Sequence, residues 1–326
     1  MAKTSGTQTN VGIGIESTAG TAVAPTHFPK WNELSLQAVV EKELLTSQRG
    51  VRNMSSDSMI RRRYGSGSIA LVPNGDIFPV FAYLALGGKA TSGPTDGTYE
   101  HTFTVNNTNA SMKTATVIVE NGAIESTRFA NCVVNTLALD VSDSYAKMTA
   151  GILGGFPDTG TVTESFSQEN EYAYHQMAVK FGTSLSNAAG NSATPLKSFT
   201  LNINNNVLLD EAFLSGSNSP SAGAFAAGRL QATGSYALHF SDTTELAKYR
   251  ANTKHAAIIT FTGAVTGGGS TAESITIKLG RLVLTGEPIE YNLDGLLVLN
   301  QQFEVEFEAT DKEIQVVVVN DTASYA

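Results

Sequence analysis

The sequence predicts a mostly β fold, and three observations carry that prediction: apolar and polar residues alternate with period two along most of the chain, turn-forming residues are abundant, and helical periodicity is confined to two short places. The alternation is clearest in "LQATGSYALHF", where Leu230, Ala232, Gly234, Tyr236, Leu238 and Phe240 face one way and Gln231, Thr233, Ser235 and His239 the other. "SFTLNIN" places Phe199, Leu201 and Ile203 opposite Thr200 and Asn202. "QFEVEFEA" alternates Phe303, Val305 and Phe307 with Glu304, Glu306 and Glu308. "TVIV", "CVVNTLALDV", "AIITF" and "SITIKLGRLVL" read as strands as well. Half-buried antiparallel sheets give this pattern, because one face meets a core and the other something polar. The chain holds 30 glycines and is 41% hydrophobic but only 16% charged, a balance that suits a β-rich protein largely covered by copies of itself.

The first helical place is "PNGDIFPVFAYLALGG". Ile77, Val80, Phe81 and Leu84 fall at helical spacing, Pro79 sits in the first turn, and Gly87-Gly88 form a stop. The second is "SDTTELAKYRAN", with Ser241 or Asp242 as N-cap, Glu245 placed for a capping box, and Leu246 and Tyr249 facing inward. Each helix follows a similar strand: Gly67-Ser68-Ile69-Ala70-Leu71 in one case, Gly234-Ser235-Tyr236-Ala237-Leu238 in the other. "HFPKWNELSLQAV" and "KSFTLNIN" are comparable lead-in strands, and each helix precedes a β run, "TYEHTFTV…TATVIV" in one case and "HAAIITFTG…SITIKL" in the other, then a glycine turn and another strand. This layout predicts two tandem β-sandwich or barrel units, 1–160 and 161–326, each with one short flanking helix and joined through the Gly, Pro, Ser and Thr-rich stretch 154–172.

Chemistry is sparsely signalled. The loop "VGIGIESTAGTAVAP" lacks the third glycine of a dinucleotide fingerprint, and no Gly-Lys-Ser/Thr phosphate loop occurs, so no cofactor is expected. The five histidines form no helical pair, and Cys132, alone in an apolar alternating run, reads as a small core residue. No Gly-x-Ser-x-Gly elbow is present and no metal or catalytic role is assigned to any residue. The N-terminus shows no apolar signal core, which leads to an expectation of cytosolic synthesis. A net charge of −9 disfavours nucleic-acid binding by the chain as a whole. Its one basic concentration, the long loop expected at 41–64, sets Lys42, Arg49, Arg52, Arg61, Arg62 and Arg63 against Glu41, Glu43 and Asp57. Tyr64 is its one aromatic, so docking on an acidic neighbouring copy fits better than nucleic acid. Glu304, Glu306 and Glu308 read as a solvated acidic face rather than a calcium site, which takes six to eight oxygens.

"GIESTAGTAVAPTHFPKWNELSL" followed by Arg49-Gly50-Val51-Arg52 resembles the start of tail tube proteins of long-tailed bacteriophages, with Glu16, Gly20-Thr21, Pro25 and Phe28 at the matching places. The strand-then-helix layout of 64–88 and the final "FEVEFEA" resemble that family too. The resemblance implies β-sandwich units with one flanking helix, closing as rings around a continuous inner barrel; a doubled chain implies three copies in a pseudo-hexameric ring, and six copies where the repeat is only apparent. It implies a non-enzymatic virion protein whose partners are itself, the tape measure, distal tail and tail terminator proteins, with DNA passing through unbound. Arg49, Arg52, Arg61, Arg62 and Arg63 become candidates for contact between stacked rings, and Glu304, Glu306 and Glu308 for an acidic lumen. Residues 11–25 become an arm lying along the tube or a neighbour. The rival expectation is a non-catalytic β-sandwich binding module such as a distal tail or adhesin protein. Against it stand the single Trp31 and the dispersed tyrosines.

Overall fold

The computed structural model describes residues 6–46, 52, 57–107, 112–122, 124–166, 171–209, 225–241, 243–265, 270–286, 289–290, 296–308 and 313–325. Its first half runs through β1 (Thr9–Ile15), β2 (Trp31–Leu34), β3 (Gln37–Leu45), β4 (Asp57–Leu71), α1 (Ile77–Leu86), β5 (Gly87–Thr95), β6 (Thr98–Val105), β7 (Ala115–Asn121), β8 (Glu125–Val141), β9 (Lys147–Gly154) and β10 (Asp158–Thr159). The second half runs through β11 (Met177–Gly182), α2 (Leu185–Gly190), β12 (Ser198–Asn204), β13 (Gln231–His239), α3 (Thr244–Arg250), β14 (His255–Val265), β15 (Ala272–Thr285), β16 (Ile289–Glu290), β17 (Val298–Val305) and β18 (Ile314–Asn320). The fold is mostly β, and every strand pairing is antiparallel.

Strand pairing follows one plan in both halves. In the first, β1 pairs β7, β7 pairs the start of β8, the end of β8 pairs β9, β9 pairs β4, and β4 pairs β2 and β3. In the second, β11 pairs β14, β14 pairs the start of β15, the end of β15 pairs β17, β17 pairs β13, and β13 pairs β12. Even the irregularities correspond. Register shifts where Cys132 faces Ala115 and again where Leu282 faces His255; these bulges let β8 and β15 each turn from one ladder into another. Gly67 lies opposite Ile152, and Gly234 opposite Phe303.

Glycine is required at those two positions by close approach. A Cβ on Gly67 would come 2.4 Å from Leu36 Cα, and one on Gly234 would come 2.2 Å from Thr200 O. The next residue makes the same polar clasp in each half: Ser68 N–H donates to Ser35 Oγ (2.9 Å) and Ser235 N–H donates to Thr200 Oγ1 (3.0 Å).

The helices differ. All ten residues of α1 are buried, as expected of a helix that is apolar on every side. It packs on β8 and β6, Asn74 Oδ1 accepts from Ile77 N–H (2.8 Å) at its start, and Gly87 ends it with φ of 84°. In α3 only Leu246 is buried. The capping box expected there does not form: Thr243 is the N-cap and makes no side-chain cap bond. Glu245 instead accepts from Tyr236 O–H (2.7 Å) and from Lys248 Nζ (2.6 Å), because the buried phenol needs an acceptor. Asp242 lies outside the described residues.

Two further findings depart from the expected layout. The run "TYEHTFTV" becomes β6, which does not take the place of β14 in the plan: β7 does. The hairpin β5–β6 is an addition, and β6 pairs with β18 of the other half. Within the basic stretch 41–64, expected as a long loop, residues 41–45 and 57–64 form a paired stem. Glu41 lies opposite Arg62 and Glu43 opposite Met59, so charges that look crowded along the chain are distributed across two strands.

Candidate assembly surfaces

The strands that the two halves share form one continuous sheet. The end of β8 pairs β12 through six residue pairs, from Val141 opposite Phe199 to Thr136 opposite Asn204. The sheet therefore runs from β2 and β3 through β4, β9, β8, β12, β13 and β17 to the end of β15 and β16. Among the described residues, β2 and β3 pair only with β4, and β16 pairs only with β17. Among the described residues neither margin has a second strand beside it, the arrangement through which a sheet recruits another chain.

The β3–β4 hairpin extends past β9, whose last partner is Gly65 opposite Gly154. Its outer part is basic and apolar together: Leu44, Leu45 and Met59 are each more than half exposed. Of the five arginines expected to meet a neighbouring ring, Arg49 lies outside the described residues, and Arg52 and Arg61 are exposed. Arg62 is held within the chain, ion-paired to Glu41 (2.8 Å), donating to Leu209 O (2.5 Å) and lying over the Tyr64 ring. That hydrogen bond from Arg62 lowers the Glu41 carboxyl below its ordinary range. Arg63 lies over the Phe156 ring, 5.4 Å from its centroid.

The three candidate lumen carboxylates do not share one strand face, because β17 ends at Val305. Glu304 is exposed, at a position opposite Thr233 on one side and Val283 on the other. Glu306 bridges Lys254 (3.1 Å) and Arg281 (3.0 Å), and Glu308 reaches Arg281 at 3.5 Å. Sequence alternation gave no sign of these cations, which come from distant turns and a bulge.

Of residues 11–25, expected as an arm along the tube or a neighbour, 11–15 lie within β1, beside this chain's own β7. β1 pairs β7 along its whole length. Glu16 then buries its carboxylate and accepts four bonds: from Gly20 N–H (2.8 Å), Asn131 N–H (2.9 Å), Thr114 Oγ1 (2.8 Å) and Thr116 Oγ1 (2.8 Å). A carboxylate so supplied anchors a turn; it leaves no positive pocket for a phosphate.

Among the described residues, no group of three or more His, Cys, Asp and Glu side chains is placed to hold a metal. Cys132 is buried, its thiol pushed far up by desolvation. Trp31 is half-buried beside an open depression of about 600 Å³ shared with Phe166 and Glu164, and its indole N–H is already donated to Thr9 O (3.0 Å). Among the described residues, no helix is long and apolar enough to cross a membrane.

Against curated proteins the chain finds no match. The family described as phage tail tube protein matches it over residues 6–309, nearly its whole length. With a mostly β fold already in place, the chain belongs to the phage tail tube protein family.

Proposed function

We propose that this chain is the repeating subunit of a phage tail tube, closing with two further copies into a ring whose stacked layers conduct DNA. On this reading residues 1–160 and 161–326 are two repeats of one unit, so three chains present six units. The observation that carries it is the ladder across the junction: one repeat already joins the next through β8 and β12, and among the described residues this ladder ends on β2–β3 and on β16 with no further strand beside them. A sheet with open margins is an aggregation hazard unless they are paired, and closure on identical molecules removes them.

The electrostatics support passage without capture. The chain carries a net charge of −9, and phosphate binding is driven by neutralising cations. Glu304 is the acidic group best placed to face the bore, since Glu306 and Glu308 are offset by Lys254 and Arg281. Arg52 and Arg61, with Leu44, Leu45 and Met59, make the β3–β4 hairpin the surface that meets the next ring, at about the mixture of charge and apolar area that docking surfaces use. The protein acts without catalysis, is made in the host cytoplasm and resides in the virion tail, where tape measure, distal tail and terminator proteins are its other partners.

The test is the mass of the smallest stable assembly, together with electron microscopy of its outline. A particle of three chains with a central hole, stacking into tubes at higher concentration, is the expected result. A protein that stays monomeric at high concentration and never forms rings or tubes would overturn the proposal.

A further inference from the structure

We infer that the junction between the two halves is a template for the contact between neighbouring chains, and that it fixes which residues meet. The inference rests on the ring reading above and adds the strands and their register. It comes from carrying the β8·β12 pairing through the repeated plan.

The correspondence is set independently from each side. On one side, the bulge partners equate Cys132 with Leu282. Beyond this point β8 pairs β9 with a single register shift between Val134 and Thr136. The second half repeats it: β15 pairs β17 from Leu282 opposite Val305 to Thr285 opposite Gln302, and β16 then continues one residue out of step, with Ile289 opposite Leu299 and Glu290 opposite Val298. Gly286, at φ of 80°, lies inside that shift. Residue for residue, Leu139 corresponds to Ile289 and Asp140 to Glu290.

On the other side, β12 and the β2–β3 stretch sit alike on the two Gly-Ser-x-Ala-Leu strands. Phe199 faces Tyr236 as Leu34 faces Ile69, and Asn202 faces Thr233 as Gln37 faces Ser66. The clasp agrees, for Ser35 and Ser68 sit 3.0 Å apart, and Thr200 and Ser235 2.8 Å apart, at their hydroxyls. Thus Leu201 corresponds to Leu36, and Thr200 to Ser35.

Within the chain, Leu139 lies opposite Leu201 and Asp140 opposite Thr200. Between chains, Ile289 then lies opposite Leu36 of the next copy and Glu290 opposite its Ser35, in an antiparallel ladder. Each margin finds its complement on an identical molecule, and the occupant is a second copy of this chain.

Paired cysteines test the register. Directly opposed residues lie within the roughly 7 Å Cα limit for a disulfide, whereas a three-residue slip adds about 10 Å. The variants are Leu36→Cys with Ile289→Cys, Ser35→Cys with Glu290→Cys, and the slipped control Val39→Cys with Ile289→Cys; Cys132 is buried and stays in place. Neighbouring pairs alternate between the two antiparallel classes, so one of the first two has the closer geometry. After mild oxidation of assembled protein, at least one of these two is expected to convert most chains to covalent trimers on non-reducing gels, with the control at least tenfold less cross-linked. Rings in which only the control cross-links, or in which none does, overturn the register while leaving the ring reading intact. Absence of rings from the unaltered protein overturns the ring reading itself. If a cysteine pair prevents assembly, an image reconstruction of the unaltered tube decides: β16 beside residues 34–37 of the next chain upholds the inference, and any other neighbour sinks it.

Discussion

The two halves share a wiring plan but differ in what they cover. α1 is enclosed on all sides, whereas α3 buries only Leu246. The first half ends its ladder on β10, two residues opposite Arg128 and Thr127; the second ends on β18, seven residues long, which also takes up β6 of the first half. After β1 comes the buried carboxylate of Glu16; after β11 comes Ser184, whose hydroxyl caps α2 by accepting from Asn187 N–H (3.2 Å). Conserving the pairing while varying these fittings shows where a sheet is constrained. Backbone ladders and close approaches such as Gly67 and Gly234 fix the plan, while helices and turns adapt to whatever surface each half presents.

The largest effect expected from this contrast is on the helices. Phe81→Ala, in the enclosed helix, should cost about 4 kcal/mol and Leu246→Ala about 2 kcal/mol, within the usual range for emptied core sites. Denaturant unfolding measures both, and equal losses would remove the distinction between the helices. Next, Glu16→Ala leaves four donors without their acceptor and should cost about 3 kcal/mol, with Ser184→Ala near 1 kcal/mol. A loss below about 1 kcal/mol at Glu16 would mean that water replaces the carboxylate easily.

The third contrast concerns His255, which occupies the bulge position that Ala115 holds in the first half. Burial, helped by the charge of Lys248, pushes its imidazole down to about 4, against the pull of Glu245. The folded value lies below the unfolded one near 6.5, so this contribution is complete above about pH 6.5 and is lost as pH falls toward about 4. Between pH 7 and 5 the loss should be about 2 kcal/mol, and His255→Gln should flatten that slope. An unchanged slope would move the acid sensitivity elsewhere, with His101, also lowered by burial, the next group to replace. The smallest effect is on the hairpin. Arg62→Ala should cost about 1 kcal/mol through Glu41 and Leu209, whereas Arg61→Ala should leave unfolding unchanged within about 0.5 kcal/mol and raise the concentration at which tubes form.

Much of this plan was legible in the sequence because it is local. The Gly-Ser-x-Ala-Leu match places two strands in the same register, and Pro79 and Gly87 mark the two ends of α1. What escaped is long-range. No periodicity reveals that β6 pairs β18, that Lys254 and Arg281 lie against Glu306, or that Glu16 turns inward to Thr114, Thr116 and Asn131. The basic stretch looks like a loop in sequence because Arg62 meets its counter-charge, Glu41, across the hairpin rather than beside it in the chain. The candidate surfaces were least legible, since a bare margin is a property of pairing and not of composition.

The position of β18 bears on how the protein comes off the ribosome. It follows every other described strand in chain order, yet β6 leans on it, and Tyr325 just beyond it packs against His27, His101 and Phe103 of the first half. During synthesis the β5–β6 hairpin therefore waits with an unsatisfied flank while the second half emerges. A nascent chain in that state is exposed to association with its siblings, and shielding of that flank until β18 docks would separate orderly folding from premature clumping.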